Sequence, residues 1–412
     1  MQYIVAILLG ILPLYLVRFA VFGIPANALE VALYGVFAFV LASALRKGSV
    51  CNLFSLPKEG LFRTGFVLLL LGAALSVAFN PTLRALGILK GWFLDPILFF
   101  LLMRYIRGSA SSIAWAYGIS ATAVALIAFG YWARDISTYD GRLRAFFESP
   151  NHLAMFIAPA ALITAWLTGQ LLREISQMNR ESGTRNQRIH IGTFVLHASC
   201  FIILALVLWL TKSHGAWFGV VGAFFVGFVF PKISQKLRVM VIVIVIVLGA
   251  STPLLAVRFW PQLQNTFSVS ERSSLASRTM IWQSALAIGR DNPIFGVGPG
   301  TFQERYLAYQ KNYPPYLEWA VPQPHNIYLA FWLQTGLLGL TGFLLLLVWY
   351  FKKLLNNLSL VVSCWLLVVM TYTLLHGSVD TLYWKNDLSF MFWALLGFVS
   401  LLRENEVSKD SS

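Results

Sequence analysis

Histidine occurs six times in these 412 residues, and three of the six stand where an apolar run begins: Ser149-Pro150-Asn151-His152, Lys212-Ser213-His214-Gly215 and Gln323-Pro324-His325-Asn326. Read as helix starts, these positions offer unpaired backbone N–H groups and about half a positive charge, which makes them ready anion sites. Arg142, Arg144, Lys212 and Arg278 are expected on the same face. A guanidinium presents a planar fork of donors matched to phosphate oxygens, so one or two of these residues converging on one spot would hold a diphosphate. In the first turn of a helix the positive pole disfavours imidazolium, so His325 is expected as a neutral ring able to accept a proton, the property of a general base. Each arginine alone also reads as a solvated headgroup contact, and each histidine as an interfacial hydrogen-bonding group. His152 and His214 stay open between the two readings.

Two further signals point to structure. Gly296-Val297-Gly298-Pro299-Gly300 has the glycines of a phosphate loop but no Walker lysine after it, and reads as a turn between two short helices. No histidine pair has metal-ligand spacing, so neither a catalytic metal nor any other cofactor is expected. Glu30, Lys90 and Asp95 fall within apolar runs, where charges are functional candidates by default. Lys90 and Asp95 are read as pairing or facing an internal cavity.

The elements that must position these residues follow from composition. Hydrophobic residues make up 58% of the chain and charged residues 12%, against roughly 25% charged in a soluble domain. Strict short-range alternation, the mark of a membrane barrel, does not occur. The expected fold is an all-α polytopic membrane protein of about twelve transmembrane helices, near 2 to 22, 27 to 45, 62 to 79, 83 to 103, 110 to 133, 152 to 172, 190 to 211, 215 to 230, 238 to 257, 325 to 350, 358 to 378 and 388 to 402. The first run lacks the basic start and cleavage site of a secretory signal and reads as a retained span. The net charge of +14 is spread over short loops and reads as the positive-inside rule, with no nucleic-acid partner. Three cysteines, Cys51, Cys200 and Cys364, indicate neither disulfides nor zinc.

Basic residues in alternate loops, among them Arg46, Lys47, Arg104, Arg107, Arg180, Lys232, Lys352, Arg403 and Lys409, place that side and both termini in the cytoplasm. The segments 134 to 151 and 258 to 324 then face the periplasm. The chain divides into helices 1 to 9 over 1–257, a periplasmic loop over 258–324, helices 10 to 12 over 325–403 and a cytoplasmic tail over 404–412. Within the long loop, Ser274 to Gly289 reads as an amphipathic helix with Arg278 and Trp282 on one face, halted by Asp291-Asn292-Pro293. A second helix from Thr301 aligns Phe302, Tyr306 and Tyr309, as for an element lying on the membrane interface.

The ordered set Arg278-Thr-Met-Ile-Trp282, Asn292-Pro293-Ile-Phe-Gly296, Gly298-Pro-Gly300-Thr-Phe302, Pro324-His325-Asn326 and Thr335-Gly336-Leu-Leu-Gly339, with Arg142 nine positions before Asn151, resembles the O-antigen ligase and polymerase superfamily. The resemblance implies a membrane glycosyltransferase of GT-C-like architecture in the bacterial inner membrane, needing neither nucleotide nor metal. Its donor would be an O-antigen glycan on undecaprenyl diphosphate and its acceptor lipid A-core oligosaccharide, both reached through membrane lipids. His325 matches the family base and Arg278 the diphosphate arginine. Arg142, Lys212, His214, Asn151, His152, Trp282 and Asn326 fall in the substrate-binding set. Many members carry Ser-Arg-Gly where this chain has Ser213-His214-Gly215 after Lys212, so a neighbouring cation would replace that arginine. An O-antigen polymerase fits the same motifs, as does, more distantly, an oligosaccharyltransferase for glycoproteins. A lipid-linked glycan transporter would show repeat symmetry and helices broken at the midplane, and the sequence shows no such paired interruptions.

Overall fold

The computed structural model describes residues 2–21, 24–107, 110–178, 184–267, 273–313, 319–357 and 361–402, so Arg180, Arg403, Lys409 and the expected tail lie outside the described residues. The helices in chain order are α1 (Gln2–Gly10), α2 (Ala28–Arg46), α3 (Val50–Leu53), α4 (Gly60–Phe79), α5 (Leu83–Ile88), α6 (Asp95–Ile106), α7 (Ala110–Trp132), α8 (Pro150–Met178) and α9 (Thr184–Leu210). They continue with α10 (His214–Val229), α11 (Gln235–Phe267), α12 (Ser274–Asp291), α13 (Phe302–Tyr309), α14 (Ile327–Leu355), α15 (Val361–Gly377) and α16 (Asn386–Leu401). Among the described residues nine helices are long and apolar enough to cross a membrane, and two shorter apolar helices, within α15 and α16, join them. The protein is an all-α, multi-pass membrane protein.

The first span differs from expectation. α1 stops at Gly10, a 3-10 turn with Pro13 near its start covers Leu12–Leu16, and Arg18–Val21 (β1) pairs antiparallel with Ile24–Asn27 (β2). Pro13 lacks the N–H that a continuing helix needs and clashes with the preceding turn, which fits the change from α-helix to 3-10 turn at this point. The charges inside the apolar runs are paired. Lys90 Nζ donates to Glu30 at 2.8 Å, and Asp95 instead accepts from Tyr34 at 2.7 Å. Lys90 sits in a π-helical turn, Leu89–Leu94, that joins α5 to α6.

α14 carries His325 at its entrance and packs chiefly against α4. At Gly72 on α4 an added Cβ would stand 2.2 Å from the backbone nitrogen of Gly339, a backbone approach typical of membrane helices packed through small residues. α14 is not continuous, because Gly336 has φ +67° and ψ −175°. The break opens the backbone to the 294–297 turn: Leu337 N donates to Ile294 O and Val297 N to Leu333 O. Only a glycine fits at 336, since an added Cβ would lie 2.1 Å from Ile294 O.

The long loop has its own small core of Ile281, Trp282, Ala285, Ile288, Val297, Phe302, Tyr306 and Val321 against Leu329 and Leu333 of α14. α11 runs ten residues past its expected end into this segment. Phe302 and Tyr306 are fully buried in that core, so this face of α13 is turned inward to packing instead of lying on a membrane surface.

Candidate active site

The site gathers where α8, α10 and α14 begin, joined by the 134–149 and 378–385 connections. An open cleft of about 480 Å³ is lined by Asp140, Arg142, Asn151, Trp209, Lys212, His214, Gly215, Trp217, Ser274 and Arg278. Five of the nine expected site residues are in that lining. The lining holds three basic residues, Arg142, Lys212 and Arg278, and one acidic residue, Asp140, which lies 3.9 Å from Arg142. That imbalance favours an anionic group in the cleft. Trp209 and Trp217 stack at 4.6 Å and form an aromatic wall.

His325 is joined to Asn151 and Arg278 of this cleft by a residue that sequence reasoning did not single out. Asp380, in the turn after α15, is 4% exposed, and each of its oxygens is engaged. Oδ1 lies 3.2 Å from His325 Nδ1 and accepts from Thr381 N at 2.9 Å. Oδ2 accepts from Asn151 Nδ2 at 3.0 Å and lies 3.9 Å from Arg278 Nη2. Asn151 Oδ1 in turn accepts from Arg142 Nη2 at 2.6 Å, and Arg142 Nε donates to Thr211 O at 2.9 Å. Burial alone would raise the Asp380 carboxyl, but the His325 imidazole and the Arg278 guanidinium outweigh it and hold it well below the usual carboxylate range. Asp380 is therefore ionised at any working pH. A carboxylate only accepts, so Nδ1 of His325 carries the hydrogen and the lone pair of the neutral ring is on Nε2.

His325 lies two residues before the helix, not in its first turn. Asn326 is the N-cap of α14, its side-chain oxygen accepting from Tyr328 N and Leu329 N, and His325 takes the left-handed conformation with φ +47°. Trp282 Nε1 holds it there by donating to Pro324 O at 3.0 Å and His325 O at 3.3 Å. Lys212 has a similar backbone, φ +49°. Non-glycine residues in this region are strained and persist where surrounding contacts fix them, a feature concentrated at functional sites.

Three of the expected substrate contacts sit elsewhere for stated reasons. Trp282 is fully buried by the loop core, and its indole N–H is spent on those two carbonyls. Asn326 is fully buried as the cap, with Nδ2 donating to Gly249 O and Ser378 O. His152 is 3% exposed and turned to Asp387 and Tyr15 instead of the cleft. Among the described residues no group of three or more His, Cys, Asp or Glu side chains is placed to hold a metal ion.

Arg278 spends its fork on three partners: Nε donates to Val379 O at 2.7 Å, Nη1 to Ser274, and Nη2 faces Asp380. Burial pushes the guanidinium pKa down and Asp380 pushes it back up, and it stays charged. Lysine has one nitrogen for these three directions. Arg278→Lys should lower turnover by about 10²-fold, the scale of losing one donor to developing charge. Wild-type turnover in that variant, measured with purified protein, would take Arg278 out of the site.

A family profile described as O-antigen ligase matches residues 199–344 of the chain. That match supports membership of the O-antigen ligase and polymerase superfamily. Of the site, Lys212, His214, Arg278, Trp282, His325 and Asn326 fall inside the matched segment of the superfamily. Arg142, Asn151 and Asp380 lie outside it and join it only through the contacts above. The chain is also similar to an uncharacterized protein of Haemophilus influenzae, 24% identical over 220 residues that cover 48% of this chain and 55% of the relative. The matched part thus spans about half the length of that relative.

Proposed function

We propose that the chain is an O-antigen ligase that transfers glycan from undecaprenyl diphosphate to lipid A-core oligosaccharide at the periplasmic face of the bacterial inner membrane. The observation that carries this reading is the His325–Asp380 pair beside a cleft lined by Arg142, Lys212 and Arg278. Asp380 keeps the hydrogen on Nδ1, and Nε2 takes the proton of the acceptor sugar hydroxyl. The freed oxygen attacks the anomeric carbon as the bond to the diphosphate breaks on the opposite face, so the configuration inverts. The diphosphate departs with the bonding electrons, and charge growing on its oxygen is met by Arg278 and Arg142, with Lys212 or His214 in place of the arginine that many members carry. Preorganised charges of this kind usually supply most of the rate enhancement in such a site. The diphosphate is already an activated leaving group, so no nucleotide is needed.

The basic residues on the opposite loops support the orientation. Deleting the gene tests the acceptor. A ligase deletion leaves lipopolysaccharide with core and no O-antigen while carrier-linked polymer accumulates. A single repeat on core would make the protein a polymerase, and failure to form any carrier-linked polymer would point to transport.

A further inference from the structure

The cleft does not use His152, yet this residue belongs to a contact set with a clear geometry. Segment 148–152, entering α8, meets segment 380–387, entering α16, through three polar pairs whose partners are 229 to 237 positions apart in sequence. The outer pair, Glu148 with Lys385, is partly exposed and worth little. The middle pair is Asn151 with Asp380. The inner pair is His152 Nε2 with both oxygens of Asp387, at 3.2 and 3.1 Å, and its side chains are 3% and 0% exposed. Tyr15 OH stands 3.3 Å from the same Nε2, and the Phe147 ring packs 4.7 Å from the imidazole. Consecutive residues of α8 therefore hold both ends of the short connection that presents Asp380. Between those ends Tyr383 and Trp384 are fully buried.

A dry imidazole–carboxylate pair is a poor way to gain stability, because well-packed apolar residues of similar volume usually do as well or better. Its geometric effect is specific, since it sets where the 380–387 connection sits on the start of α8. We propose that the His152–Asp387 pair is a positioning device for the site, fixing this connection so that Asp380 meets His325. The inference rests on the reading of His325 and Asp380 as the reacting pair.

The test uses the purified full chain with carrier-linked glycan and lipid A-core acceptor, reading kcat, donor KM and Tm. The double variant His152→Phe with Asp387→Leu replaces the pair by apolar volume and should keep Tm. Its kcat should fall about 10- to 100-fold with donor KM within about twofold, as for a small misplacement of reacting groups. A merely structural pair predicts wild-type kcat once Tm is kept, and that result would overturn the proposal. His152→Gln returns an N–H near the Nε2 position and should stay within about threefold of wild-type kcat. An equal loss in His152→Gln and the double variant would also overturn it. If the double variant does not survive purification, His152→Gln against the shorter His152→Asn decides: a kcat loss in Asn alone at preserved Tm supports positioning, and equal kcat in both overturns it. His325→Ala runs alongside. Retained turnover there would defeat the reading of the site itself, whereas an inactive His325→Ala beside a fully active double variant defeats only the positioning role.

Discussion

Purified His325→Ala should insert, fold and bind carrier-linked donor while transferring glycan about 10²- to 10⁴-fold more slowly, the range for loss of acid–base catalysis. Folding should survive because the imidazole is about a third exposed and its polar partner is the single carboxylate of Asp380, which keeps Asn151 and Thr381 N when the ring is gone. Donor binding should survive because Arg142, Lys212 and Arg278 remain in the cleft. His325→Asn is the sharper control. Asparagine accepts the left-handed backbone at this position more readily than most residues, and its amide can donate to Asp380 as Nδ1 does, but it has no Nε2 lone pair. It should be as slow as His325→Ala at wild-type Tm. Turnover near wild type in either variant would end the base assignment, and loss of donor binding would move His325 to the diphosphate.

The pH dependence of stability follows from Asp380. Burial would raise its carboxyl, but the His325 imidazole and the Arg278 guanidinium outweigh it and hold it below the usual carboxylate range. A depressed carboxyl contributes stability in full above its unfolded value of about 3.9 and loses it only as pH falls toward the folded value. The contribution of this carboxylate should therefore persist through mild acid and be lost only in strong acid, which a pH series of Tm on wild type against Asp380→Asn checks.

How far the sequence reaches depends on whether a signal is local. α12 was legible because its shared Arg278–Trp282 face and its Asp291-Asn292-Pro293 stop act within a few residues, and it spans Ser274–Asp291 against an expected 274 to 289. The five cleft residues were legible because helix starts and cations can be read from order along the chain. The break at Gly336 was not, since it exists to receive a turn forty residues upstream in sequence, and the loop-facing side of α13 read as interfacial because its packing partner is another part of the loop. Asp380 depends on contacts with residues 55 and 229 positions away. One signal was available: acidic residues number 17 in the whole chain, and Asp380 and Asp387 fall together between two apolar runs, where a carboxylate needs a partner.

Asp380→Asn should reduce turnover about as far as His325→Ala, in the 10²- to 10⁴-fold range, though it differs from wild type by one atom and one charge. The native carboxylate accepts on both sides, from Asn151 and Thr381 N, with His325 Nδ1 on the Thr381 side. An amide can accept on one side only. If its nitrogen faces Asn151, two N–H groups oppose each other beside Arg278. If it faces His325, the ring must present its Nδ1 lone pair, which puts the hydrogen on Nε2 and abolishes the base; a wrong tautomer of this kind costs about 10⁴ in the Ser-His-Asp template. Asp380→Ala is a worse probe, since stripping the carboxylate from a buried charged cluster costs about 3–5 kcal/mol and unfolding could mask the chemistry. The combined variant His325→Ala with Asp380→Asn separates the two roles open to Asp380. If Asp380 works through His325, the pair is no slower than His325→Ala alone, because nothing remains to orient. Multiplied losses would show Asp380 acting on the substrate in its own right, and would make it, with Asn151 and Arg278 around it, the group to test next as the proton acceptor.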